Sequence, residues 1–216
     1  MNHCNELISR FGGDPLGKPS NERGAVITAG SLGQQLLAML KVKNGFFAFE
    51  SALHVFPVNQ PIDDEVELVE WNSPSVWKDA FSKDLTHTFC FAENLFGEQF
   101  CIVEKSICRF DPETTELVPL ADSIEDWACL MIAERDKQIG FRLGHEWQRL
   151  NKPLARGRRL LPRIPFVLGG AFAVENLFDC DAVEGMRFRA NIANQILDLP
   201  DGSTIEFKPM RNSGNP

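Results

Sequence analysis

Tyrosine is missing from all 216 residues, and the aromatic content is 17 Phe and 4 Trp. Chemistry that needs a phenol as nucleophile, general acid or stacking platform is thereby excluded. So is one of the three residue types that protein interfaces use most as hot spots, leaving Trp and Arg. Histidine is scarce: His3, His54, His87 and His145 are scattered along the chain. His145-Glu146-Trp147-Gln148-Arg149 begins like the HExxH zinc motif but has no second His one helical turn on, so it cannot offer two imidazoles to one metal. Gly169-Gly170 lacks the further glycine and the following basic residue of a phosphate loop, and no GxSxG elbow occurs. No apolar run approaches the roughly 18 residues of a bilayer span. The first eight residues show no basic stretch leading into an apolar one, so no secretory signal is expected.

The six cysteines (Cys4, Cys90, Cys101, Cys108, Cys129 and Cys180) include no CxxC pair. A chain of this length can build a core without disulfide staples. Cys90, Cys101, Cys108 and Cys129 lie among Phe, Ile, Val and Leu, the setting of small buried hydrophobes. A reduced, cytoplasmic protein is the expectation, with no metal, no cofactor and no catalytic residue assigned.

With 44% hydrophobic and 24% charged residues the chain has the balance of a folded globular protein. The formal charge of −8 is unevenly spread. Residues 60–136 hold five basic and eighteen acidic side chains, a net −13, whereas residues 137–168 hold eight basic and one acidic, a net +7. Both stretches can be solvated faces that pair within the fold. Alternatively the acidic one meets a basic partner, where complementary charge speeds association. On that reading Asp63, Asp64, Glu65, Glu67 and Glu70 steer the partner, with Trp71 and Trp77, and with Trp147 as a further choice, as anchors. The basic stretch with Lys152, Arg156, Arg158, Arg159 and Arg163 either pairs internally or meets a partner. Nucleic acid is disfavoured, because the rest of the chain repels phosphates.

Turn formers over 12–24 read as a loop. Ser31 can cap a helix over 31–40 that gathers Leu32, Leu36, Met39 and Leu40 on one face, and Asn44-Gly45 stops it. Residues 46–56 hold a strand or a short buried helix. Pro61-Ile62-Asp63-Asp64 makes a turn, and Ser73-Pro74 opens a helix through Trp77 and Phe81. From 88 to 120 the pattern is strand, turn and strand repeated, at 88–93, 98–103, 106–110 and 117–120. Short reversals between successive strands require antiparallel neighbours. Asp122 then caps a helix with Glu125 three residues on, and Ile124, Trp127, Ala128, Met131 and Ile132 give it an apolar face. A short helix over 141–150, an exposed connector over 152–165, a helix over 188–197 and a strand over 204–207 complete the reading.

The order of these signals over 31–136 resembles the SUKH superfamily of bacterial toxin-immunity proteins and fungal cell-wall synthesis regulators. The carrying residues are Leu36-Leu37-Ala38-Met39-Leu40 ending in Asn44-Gly45, and Ala52-Leu53-His54-Val55-Phe56-Pro57. They continue with Phe89-Cys90-Phe91-Ala92-Glu93, Gly97 before Gln99-Phe100-Cys101-Ile102, and the Asp111-Pro112-Glu113-Thr114-Thr115-Glu116 reversal. Leu120-Ala121-Asp122-Ser123-Ile124-Glu125-Asp126-Trp127 matches the closing helix. The resemblance implies an α+β fold with a mostly antiparallel sheet flanked by helices. It gives Asn44, Gly45, Gly97, Asp111 and Trp127 structural roles, and it implies a non-catalytic binding protein that neutralises a toxin. A basic toxin such as a nuclease suits the acidic segment. Residues 1–30 are then an N-terminal segment and loop, 31–136 the core, and 137–216 a C-terminal extension that can pack on the same domain. Two alternatives stay open: a regulatory or scaffold module for an endogenous partner, and a small-ligand binder or enzyme. The latter would need a pocket between core and extension with convergent carboxylates or an Arg–carboxylate pair. No membrane partner is expected.

Overall fold

The Phe-rich segments between 46 and 121 form one six-stranded sheet, seen in a computed structural model that describes residues 2–19, 30–59, 61–63, 65–197 and 199. Its strands are β1 (Phe46–Ala48), β2 (Leu53–Val55), β3 (Phe89–Asn94), β4 (Gln99–Val103), β5 (Ser106–Phe110) and β6 (Leu117–Ala121). They lie side by side in chain order and every neighbouring pair is antiparallel. The fold is α+β, a sheet flanked by helices. Of the two readings of 46–56 the strand holds, and the segment has two of them. It is the β1–β2 hairpin, reversed by Phe49, Glu50 and Ser51, all at positive φ.

Alternation along the strands gives the sheet two buried faces. One face packs on α2 (Gly30–Val42) and α4 (Ile124–Ala133). Trp127 of α4 meets Phe91 and Phe100 edge-on, with ring centroids 5.0 and 5.7 Å away. Gln35 of α2 accepts from the amide of Ile124 at 3.1 Å, joining the two helices. Helix α2 begins at Gly30, one residue ahead of the expected cap Ser31. The cap of α4 is Ser123 with Asp126 as its partner rather than Asp122 with Glu125. Asp122 binds Ser106 instead, and Glu125 takes the amides of His3 and Cys4 at the start of α1 (His3–Glu6).

The opposite face is covered by the β2–β3 crossover and by the C-terminal third. The crossover contains α3 (Leu68–Trp71) and a 3₁₀ turn at Lys78–Ala80, so the helix expected from Ser73-Pro74 is only turns. Beyond α4 come α5 (Arg135–Ile139), α6 (Phe141–Leu150), β7 (Arg158–Pro162), β8 (Leu177–Asp181) and α7 (Ala182–Ile196). Strands β7 and β8 pair antiparallel, and Leu160 of β7 donates to Leu95 O at 3.0 Å in the β3–β4 turn. Leu154, Leu160, Leu177, Met186, Ala190 and Ala193 join the same hydrophobic cluster as the sheet. Within the expected exposed connector over 152–165, residues 159–162 of β7 are buried instead, because Arg159 finds a matching charge inside, while Lys152, Pro153, Ala155, Arg156, Arg163 and Ile164 are exposed. Helix α7 starts six residues earlier than its Ile192/Ile196 spacing suggests, where Asp181 caps it through the amides of Val183 and Glu184. The strand expected at 204–207 and part of the loop at 12–24 lie outside the described residues. Among the described residues no helix is long and apolar enough to cross a membrane.

Asn44 is buried and ties the end of α2 to the chain after β2: its amide nitrogen donates to Lys18 O and Val58 O, and its oxygen accepts from Val58 N, each at 2.8 Å. Gly45 beside it has φ +68°, and a Cβ there would stand 2.6 Å from Pro57 N. Gly157 has nearly the same φ, +69°, with nothing within 4 Å of such a Cβ. Left-handed strain alone costs roughly 1–2 kcal/mol. Gly157→Ala should therefore lose about 1 kcal/mol in urea unfolding and Gly45→Ala about 3 kcal/mol or more, strain plus clash. Equal losses would mean that the Pro57 backbone yields freely.

Candidate functional site

The acidic segment divides by side-chain direction. Asp63 is exposed and pairs with Arg156 at 3.1 Å. Glu67 is half-buried and accepts from Asn59 N at 3.2 Å, and Glu70 is exposed on α3. Asp64 lies outside the described residues. The others correct the expectation of a contact surface. Glu65, Trp71 and Trp77 are buried, as is Trp147. Trp71 stacks on Phe56 at 4.9 Å and donates to Gln99 Oε1 at 2.8 Å, while Trp77 donates to Trp71 O at 2.9 Å. These indoles hold the crossover against the sheet and cannot anchor a partner from there.

Glu65 belongs to a buried polar cluster. In the β2–β3 register His54 faces Glu93. His54 Nδ1 stands 3.1 Å from Glu93 Oε1, and its Nε2 is 3.4 Å from Glu65 Oε1. Arg159 of β7 brings Nη2 to 2.6 Å from Glu93 Oε1 and lies over the Phe47 ring. Gln99 donates to Glu93 Oε2 at 3.2 Å. Burial, and then the charge of Arg159, lower the His54 pKa to about 4 despite the opposing pull of Glu93. Burial pushes Glu93 up, but Arg159 and the hydrogen bond with His54 overcome it and leave a pKa of about 2. Burial also raises Glu65. With His54 uncharged near neutrality, the cation that keeps Glu93 ionised is Arg159. The cluster has the residue types of an acid–base relay but sits inside the core, where its charges pair with one another.

A cavity of about 330 Å³ opens where the core meets the extension. Antiparallel pairing sets Gln99 opposite Phe110, which brings the next residues outward, Glu98 and Asp111, to the same end of the sheet. The β5–β6 reversal adds Glu113, folded back where its backbone N–H donates to Asp111 Oδ1 at 2.8 Å. Arg109 Nε is 3.7 Å from Glu98 Oε1, and Asn94 donates to Glu98 Oε2. Glu113 Oε2 accepts from Val167 N at 3.0 Å, drawing the 164–172 segment over the site. Arg189 of α7 is only 3% exposed; it donates to Phe96 O, and its Nε has no partner among the described residues. Phe96, Phe166 and Phe172 form a three-ring wall with centroids 4.7 to 5.7 Å apart. Burial raises the pKa values of Glu98 and Glu113, with Asp111 adding to both and Arg109 and Arg189 respectively opposing. Burial lowers that of Arg189 against the pull of Glu113, Asp111 and Glu98.

The cavity meets the condition set for a small-ligand site, although of its residues only Asp111 was singled out from the sequence, and for a structural role. Glu98 and Asp111 were findable, because a hairpin over 99–110 fixes them as neighbours. Nothing in the sequence pointed to Arg189. Gly97 lies beside it at φ +73°, where a Cβ would be 3.1 Å from Arg189 Nη2. Cys90 and Cys101, cross-strand neighbours with sulfurs 2.8 Å apart, are fully buried. Burial raises the Cys101 pKa well above the ordinary thiol value, which keeps this thiol protonated and a poor nucleophile. Among the described residues no group of three or more His, Cys, Asp or Glu is placed to hold a metal ion.

Removing the charge of Arg159 leaves Glu93 buried and unpaired. Arg159→Met should cost about 3–5 kcal/mol of stability, with a large part recovered when Glu93→Gln is added. A double-mutant cycle in urea measures this, and additive losses would mean the pair is not coupled. The His54 proton supplies a second test. The unfolded chain binds it near pH 6.5 and the folded chain only near pH 4, so acidification between these values favours unfolding. Below that, Glu93's contribution, full above its ordinary pKa of 4.5, is lost towards pH 2. His54→Gln should flatten the stability profile between pH 6.5 and pH 4 and leave a lower limb that is reduced by the lost His54 contact but still carried by Arg159; an unchanged upper limb would assign the acid sensitivity to other groups.

No protein-family model matches the chain, and no curated protein matches it. A solved structure does: the crystal structure of Atu4351 from Agrobacterium tumefaciens is similar at a TM-score of 0.56 with 16% sequence identity, covering 85% of this chain and 86% of that one. At that identity the likeness shows the shared fold alone.

Proposed function

We propose that this chain is a non-catalytic protein-binding module of the SUKH kind, acting in the cytoplasm as an immunity-type protein that neutralises a basic toxin, such as a nuclease, by occluding it. The observation that carries the reading is how the SUKH-like residues are used. Asn44 and Gly45 close α2, Gly97 turns β3 into β4, Asp111 folds the β5–β6 reversal, and Trp127 seats α4 on the sheet. Such residues build a scaffold, and the chemistry left over for a partner is on the outside. Asp63, Glu67 and Glu70 turn acidic groups outward on a segment held down by Trp71 and Trp77. A cationic partner approaching this side is drawn by the excess negative charge of residues 60–136.

Co-expression with the product of an adjacent toxin gene should yield a stable complex and protect the cell; neither binding nor protection against any adjacent toxin would overturn the reading. In such a complex Asp63→Lys, Glu67→Lys and Glu70→Lys together should slow association about tenfold at low salt and flatten its salt dependence. The folded state should lose little, because surface ion pairs such as Asp63–Arg156 contribute roughly 0–1 kcal/mol. An unchanged association rate would move the contact to another face.

A further inference from the structure

The cavity between the β3–β4 turn, the β5–β6 reversal and α7 sets three carboxylates beside a buried guanidinium that has one unmet N–H. Glu98 is engaged by Arg109 and Asn94. Asp111 Oδ1 accepts from Glu113 N and Glu113 Oε2 from Val167 N, and Asp111 raises the cost of charge on Glu98 and Glu113. Against them, Arg189 is a cation more than nine-tenths buried whose Nε lacks an acceptor among the described residues. A buried guanidinium N–H without an acceptor is costly and rare. A simple cation would answer the carboxylates and leave Arg189 unsatisfied. A simple anion would answer Arg189 and add to the acidic crowding. The third wall is apolar, three phenyl rings with Phe172 62% exposed at the mouth. A volume of about 330 Å³ lies at the lower end of the roughly 300–1,000 Å³ of small-molecule pockets.

We propose that this cavity is a binding site for a small zwitterion with an apolar side group, an α-amino acid by chemical class. Its ammonium lies towards Asp111 and Glu113, its carboxylate towards Arg189, and its side group against Phe96, Phe166 and Phe172. The ligand's carboxylate meets a buried guanidinium that has an N–H without an acceptor, and its ammonium meets carboxylates that can accept further hydrogen bonds beside those from backbone amides. The cavity uses residues other than Asp63, Glu67 and Glu70, so the site goes beyond the protein-binding reading and does not depend on it.

Titration calorimetry of the whole chain with L-phenylalanine tests it, with three comparison probes that each lack one element. N-acetyl-L-phenylalanine has no ammonium, phenethylamine has no carboxylate, and glycine has no side group. L-phenylalanine should saturate one site per chain, and each comparison probe should bind about tenfold more weakly or worse. No saturable binding of L-phenylalanine, L-leucine or L-methionine at millimolar concentration would overturn the proposal, as would equal binding of the acetylated or decarboxylated probe. Arg189→Lys risks the fold, so the variants that carry the test are Phe172→Ala, at an exposed position, and Glu113→Gln. Both should unfold at temperatures near the parent's and bind L-phenylalanine at least severalfold more weakly. Binding at parental strength in both would place the ligand elsewhere and overturn the assignment.

Discussion

The ion pair between Glu93 and Arg159 connects the two halves of the molecule. Glu93 sits in the middle of the six-stranded sheet and Arg159 comes from β7, across 66 residues of sequence, yet they meet at 2.6 Å with both side chains buried. Each charge depends on the other, since a buried ion that loses its partner is strongly destabilising. The pair is not a large source of stability, because desolvation offsets most of the attraction. Its effect is on arrangement. Glu93 also faces His54 on one neighbouring strand and Gln99 on the other. A one-residue slip of β3 would turn the carboxylate to the face where Trp127 packs. Arg159 then fixes where the extension docks, and that docking covers the indoles of the crossover and encloses the cavity.

The same pair explains what the sequence made legible and what it hid. Four strands between 88 and 121 were readable because alternation and tight reversals are local signals, and they fixed an antiparallel sheet. Helices α2, α4 and α6 were readable from spaced apolar residues. The strand inside 152–165 is hidden because Arg and Pro normally mark an exposed connector, and only a carboxylate 66 residues earlier makes a buried Arg159 tolerable. Trp71 and Trp77 were misplaced for a related reason. Their acidic surroundings suggested a surface, but each indole N–H has a buried acceptor, Gln99 Oε1 or Trp71 O. A satisfied donor lets a large aromatic enter the core, and that satisfaction cannot be read from neighbours in sequence. The helix expected after Ser73-Pro74 gave way to turns in which Lys78 reaches inward to Asn72 and Thr88.

The candidate site lies at the limit of that legibility. Two of its carboxylates follow from hairpin register, a third from the reversal after it, and its cation from a helix more than seventy residues further on. No local pattern links Arg189 to Glu113. What brings them together is the packing of α7, whose Asn194 and Arg187 bond the crossover at Ala80, Ser75 and Val76. The cavity is thus a consequence of the extension's docking, and the six-stranded core alone would leave its carboxylates open to water.

Two kinds of electrostatics therefore operate in one chain at different ranges. The outward carboxylates at Asp63, Glu67 and Glu70 act through a field that solvent and salt screen within about 8–10 Å. They can steer a large basic body but cannot distinguish one cation from another of similar charge. In the cavity the opposite holds. Carboxylates and guanidinia nearly balance, so there is little net field to attract anything from a distance, while low polarity around them makes each unmet donor or acceptor count. Such a site discriminates by the match of individual groups, and it favours a molecule that is itself neutral overall but charged at two ends. The absence of tyrosine fits this division. The apolar wall is built from phenyl rings, which offer area without a hydroxyl to satisfy, so the polar selectivity of the cavity falls to its ionic groups and backbone.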